Sequence, residues 1–118
     1  MTIDEEFQRI PDLTAVGMAL AQFAASFMKG EFVHKKKRWI YSPANVVAFQ
    51  VQYPKAKSIV VTVYGNHSQF QKDQVLSLWS DRSPSYTKFT VTERRQLAAA
   101  ANYIQRSFEL WQEKHLKK

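Results

Sequence analysis

Residues 38–64 read RWIYSPANVVAFQVQYPKAKSIVVTVY, and the fold of the chain turns on how that stretch pairs with itself. Three segments, Arg38–Tyr41, Val46–Tyr53 and Ser58–Tyr64, are rich in β-branched and aromatic residues and repeat with a period of two. Between them, Ser42-Pro43-Ala44-Asn45 and Pro54-Lys55-Ala56-Lys57 are built from turn residues. The pattern predicts an antiparallel three-strand meander. Pairing Tyr41 with Val46 would scatter apolar residues over both faces of it. Pairing Tyr41 with Val47 gathers Trp39, Tyr41, Val47, Phe49, Val51, Tyr53, Ile59, Val61 and Val63 on one face. A one-residue slip moves every side chain to the opposite face, so the second register is selected. It requires turns of odd length or a bulge. The opposite face then carries Arg38, Gln50, Gln52, Ser58, Thr62 and Tyr64, with Tyr64 as its single large aromatic.

Working outward toward the start, Thr2-Ile3-Asp4-Glu5 has the spacing of a capping box and opens a short helix. Pro11 disfavours helical geometry in Ile10 and ends it. A second helix is expected from about Asp12 to Met28, with Leu13, Val16, Leu20, Phe23 and Phe27 on one stripe and Gly30 as its stop. Toward the end, Ser68 is placed to cap a short helical turn through Phe70 to Asp73. Val75–Trp79 reads equally well as a helix end, a short strand or a packed loop. A fourth strand follows at Tyr86–Val91. Thr92 then caps a last helix to Glu113, with Leu97, Ala101, Ile104, Phe108 and Trp111 as its stripe. Lys114-His115-Leu116-Lys117-Lys118 complements the helix dipole. The expected class is α+β: one domain over residues 1–118, a mainly antiparallel four-stranded sheet with two long helices packed on one face.

Composition agrees and narrows the function. At 118 residues, with 45% apolar and 14% aromatic residues, the chain can bury one core and no second domain. It has no cysteine, so disulfides and thiolate metal sites are excluded. The acidic start Met1–Glu6 lacks the basic region of a secretory signal, and the apolar stretch Leu13–Met28 is too short and alanine-rich for a membrane span. The expectation is a cytoplasmic protein with no membrane partner.

The net charge of +7 is unevenly placed. Residues 1–30 carry Asp4, Glu5, Glu6 and Asp12 against Arg9 and Lys29, so the excess of cations lies wholly in the later residues. Its densest run is Lys35-Lys36-Lys37-Arg38. In the meander, the turn holding Lys55 and Lys57 falls at the same end of the sheet. These six groups, beside Tyr53 and Trp39, form a candidate site for nucleic-acid phosphates. A solvated strand end, kept charged against edge pairing, is the plainer reading. Two alternatives stand beside it. One is a protein-interaction or homodimer module using an exposed strand edge or Val75–Trp79. The other is a small-ligand binder with a pocket among Trp39, Phe49, Trp79 and Tyr86.

Nothing in the sequence marks an enzyme or a cofactor. His34, His67 and His115 are scattered, and no glycine-rich phosphate loop exists. His67 beside Ser68 and Asp73 is the single constellation to name, and a solvated loop histidine accounts for it better. Arg94 and Arg95 sit in a helix first turn, where cations are disfavoured, and Arg106 has Glu109 at pairing distance along the helix.

The runs Arg38-Trp39-Ile40-Tyr41-Ser42-Pro43, Val47-Ala48-Phe49 and Ile59-Val60-Val61-Thr62-Val63-Tyr64-Gly65 also resemble a family. With Tyr86-Thr87-Lys88-Phe89 and Ala101–Glu109, the chain is similar to a small uncharacterised bacterial domain. That domain occurs alone or at the end of larger predicted nucleases and predicted transport proteins. The resemblance implies an α+β fold and a bacterial or mobile-element setting. It supplies no catalytic residue.

Overall fold

A computed structural model describes residues 1–116 of the chain. The meander is its centre. The strands β1 (Glu31–Lys35), β2 (Arg38–Ser42), β3 (Val47–Gln52), β4 (Ser58–Tyr64), β5 (Trp79–Ser80) and β6 (Tyr86–Val91) form one antiparallel sheet in the order β1-β2-β3-β4-β6-β5. Trp39 lies opposite Phe49 and Ile40 opposite Ala48, which is the register that puts Tyr41 across from Val47. From Gln52 opposite Ser58 to Val47 opposite Val63, β3 and β4 keep the same faces in step across the odd-length connection 53–57.

The sheet therefore has six strands where the sequence reading gives four. Glu31–Lys35 is a strand because Lys36 and Lys37 form a two-residue hairpin turn, with φ of 56° and 69°. Such a turn needs positive φ at both positions, which Asn-Gly normally supplies. Two lysines hide it. The other added strand is β5, Trp79–Ser80, too short to show a period and held against Lys88 and Thr87.

Helices α1 (Ile3–Phe7), α2 (Thr14–Ala25) and α3 (Leu97–Leu116) cover one face. The Thr2–Glu5 capping box is present, and the main-chain amide of Thr2, donating to Glu5, holds that carboxyl below the usual range. Residues 11–13 form a 3-10 turn ahead of α2. A second such turn, Arg94–Gln96, precedes α3, and there Gln96 Oε1 accepts from the Thr92 and Glu93 amides at 2.7 and 3.1 Å. Thr92 is thus held by the turn and does not cap it. Similarly, Asn66 rather than Ser68 caps the turn His67–Gln69, accepting from the Ser68 amide at 2.9 Å. Lys117 and Lys118 lie outside the described residues.

The core is a layer of aromatic contacts between sheet and helices. Phe7 meets Phe49 edge-on, Phe27 stacks on Phe108, and Phe89 tilts against Tyr103. The buried face of α3 runs through Ala100, Tyr103, Ile104, Ser107 and Phe108, a rotation from the expected stripe. The cause is residues 66–78, which close over the Tyr103 side. Phe70 packs edge-on there, and Tyr103 donates to the Gln71 carbonyl at 2.8 Å. Ser107, fully buried in this helix, donates to the Tyr64 carbonyl at 2.7 Å and ties α3 to the end of β4.

Gly17 lets α1 dock. A Cβ at this helical position would stand 2.5 Å from Cδ1 of Phe7, itself fully buried. In an open helix, Gly→Ala stabilises by about 1 kcal/mol. Here Gly17→Ala is expected to destabilise by about 1–3 kcal/mol through overpacking, read as a lower urea midpoint. An unchanged or higher midpoint would mean that Phe7 has room to move.

Candidate functional site

The six basic residues of the candidate phosphate site do not form one cluster. The structure distributes them over four places. Lys37, in the β1–β2 turn, and Lys55, in the β3–β4 turn, line one cleft of about 650 Å³. Lys57 turns away to a smaller hollow beside Asp12 and Thr92. Arg38 lies on the helix-free face, in a hollow of about 200 Å³ floored by Ala48 and Thr62. Lys35 and Lys36 are exposed at the strand end and tip of the β1–β2 hairpin. Among the described residues none of the six is within ion-pair distance of a carboxylate. The ion pairs lie elsewhere, such as Arg95 with Glu93 and Arg106 with Glu109 and Glu113.

The large cleft exists because two neighbouring strands stop at different heights. The β2–β3 ladder ends at Trp39 and Phe49, while β3 continues with β4 to Gln52. Val51 and Gln52 consequently have β4 on one side and open cleft on the other. The hairpin tip with Lys37 forms one wall, and the turn from Tyr53 to Ala56 forms the other. Tyr53 is half exposed, at 54%.

Two further walls were not legible in the sequence. Arg9 and Glu6 reach the cleft from α1, joined to each other at 3.4 Å, because Phe7 docks α1 on Phe49. His34 lines the cleft from β1, stacked at 4.7 Å on Trp39. Beneath it, the Trp39 indole N–H is buried without a hydrogen-bond partner among the described residues. No local signal in residues 1–10 could announce a contact that depends on a phenylalanine pair remote in sequence.

Charge in the cleft is one-sided. Arg9, Lys37 and Lys55 face a single lining carboxylate, Glu6, already engaged by Arg9. The hairpin tip adds a second kind of observation. Non-glycine residues with positive φ cost on the order of 1 kcal/mol or more each and persist where the surrounding structure holds them. Lys36 and Lys37 occupy two such positions in succession. An anion fits this arrangement; a cation does not.

The other sequence-derived sites fare differently. Trp39 and Phe49 belong to the helix-covered face, whereas Trp79 and Tyr86 project from the opposite one. The four residues therefore surround no common pocket, and that alternative loses its geometry. The helix-free face is, however, richer than expected. Besides Tyr64 it carries Tyr86, edge-on to Tyr64 at 5.7 Å, and Trp79. Burial first, then the neighbouring Tyr64, raises the Tyr86 hydroxyl above its ordinary range, with Arg38 and Lys114 opposing. Tyr86 donates to the Asn45 carbonyl at 3.1 Å.

Ser68 donates to Asn66 and Asp73 accepts from the Val75 amide, each within its own turn, while His67 and Asp73 line one open hollow of about 290 Å³ that Ser68 does not reach. Among the described residues no three His, Cys, Asp or Glu side chains converge as metal ligands. Nor is any described helix long and apolar enough to cross a membrane. Compared with protein-family models, curated proteins and solved structures, the chain matches none.

Proposed function

We propose that the chain is a nucleic-acid-binding module that grips a single strand in the cleft between its two basic turns. The observation that carries this reading is the convergence of Lys37, Lys55 and Arg9 on one large concavity beside an exposed tyrosine. Modules that hold single strands combine a positive groove for the backbone with aromatic faces for the bases. In this reading, Lys37, Lys55 and Arg9 neutralise phosphates and the Tyr53 ring receives a base. A concave cleft between turns suits a flexible strand better than the convex backbone of a duplex. The resemblance to a domain found at the end of predicted nucleases is in keeping with that partner.

The test is fluorescence anisotropy with one labelled oligonucleotide, presented single-stranded and as a duplex. The expected result is tighter binding of the single strand, with log affinity falling linearly against log salt. No binding of either form at low salt would sink the proposal. Equal binding of both would leave nucleic acid as partner and overturn the single-strand preference.

A further inference from the structure

We propose that β1 is a self-association edge, pairing antiparallel with β1 of a second copy of the chain about a two-fold axis at Val33. β1 is the outer strand of the sheet, bound to β2 on one side and, among the described residues, to no strand on the other. Four of its five residues are exposed, Val33 among them at 40%. The opposite sheet edge is the two-residue β5, too short to template a partner. β1 has neither proline nor bulge, and its two charges, Glu31 and Lys35, are of opposite sign, so against a second copy they attract where a row of like charges would repel.

The sequence of the strand complements its own reverse. With Val33 opposite Val33 of the second copy, Glu31 falls opposite Lys35 twice, and Phe32 opposite His34 twice. Facing residues of an antiparallel pair point to the same side, so both Glu–Lys pairs form on the helix-free face. Parallel pairing would set Glu31 beside Glu31 and Lys35 beside Lys35. A two-residue slip would leave a charge opposite valine. The signs select one register.

The main chain selects the same one. Across a two-residue hairpin the flanking pair, here Lys35 and Arg38, exchanges both hydrogen bonds, and bonded pairs alternate along the ladder. Glu31, Val33 and Lys35 thus direct their N–H and C=O groups to β2. Phe32 and His34 direct theirs outward. In the proposed register Phe32 and His34 face each other across the axis, so the residues with free main-chain groups are the ones that must bond. Phe32 is already fixed by packing on Tyr41 and Phe49, and His34 by its stack on Trp39, so the edge is preorganised. Two sheets would join into one, with all helices on the same side.

Sedimentation equilibrium on the full chain, without nucleic acid, tests this independently of the binding proposal. The wild type is expected to show a concentration-dependent monomer–dimer equilibrium. Glu31→Lys alone and Lys35→Glu alone should each shift it to monomer, because each sets like charges opposite. The double variant should dimerise again. An equimolar mixture of the two single variants should form heterodimers, which also shows that both are folded. A wild type that stays monomeric at its highest soluble concentration would overturn the proposal. So would single variants that dimerise as the wild type does, or a mixture that fails to associate.

Discussion

Replacing Lys37 by asparagine and Lys55 by serine together is expected to weaken single-strand binding on the order of a hundredfold at low salt. On a single strand each phosphate-neutralising cation contributes about 0.7 to the slope of log affinity against log salt, so the slope should fall by about 1.4. Between molar salt and a few hundredths molar, that change in slope is what weakens the binding. Asparagine is chosen at position 37 because it tolerates the left-handed backbone found there, keeping the hairpin while removing its charge. Lys57→Ser is the matched control: it removes the same charge from the same turn, but from a residue that faces the Asp12 hollow. Anisotropy titrations over a salt series read both. If Lys57→Ser weakens binding as much as Lys55→Ser, the cleft is not the site.

Phe49→Ala is expected to destabilise the fold by about 3–5 kcal/mol, the range for removing a buried aromatic. Phe49 is fully buried and its ring touches Phe7 of α1 and Phe32 of β1, so one side chain joins three elements. Against a total stability of roughly 5–15 kcal/mol for a domain, the melting temperature should drop by roughly 10–20 °C. A loss below about 1 kcal/mol would mean that α1 and β1 close over the gap. The same variant loosens the docking of α1, and with it the Arg9 wall of the cleft. Binding should therefore weaken although no charge has been touched.

How far the sequence reached depends on range. The pairing of β2, β3 and β4 was legible because three neighbouring segments share one period and one register buries all their apolar residues. The Thr2–Glu5 cap was legible because it is local. β1 was not legible because a two-residue hairpin turn is normally marked by Asn-Gly, and here two lysines adopt its positive φ. The rotation of α3 was missed because residues 66–78, which have no period of their own, decide which side of the helix is covered. At the site, the gathering of basic residues at one end was readable from the meander. Its division was not: which of Lys37, Arg38 and Lys57 shares a hollow with Lys55 depends on turn geometry and on where β2 stops. Arg9 and His34 enter through tertiary packing alone.

The hairpin tip at Lys36 and Lys37 has a consequence for anyone altering the chain. A redesign guided by stability would choose Asn-Gly there, since that pair adopts the turn without strain. It would gain thermal resistance and discard one cation of the cleft with its neighbour. Optimised variants selected on melting temperature alone would then drift away from whatever the cleft holds. Robustness and recognition pull in opposite directions at these two residues, so a screen on this chain has to score both.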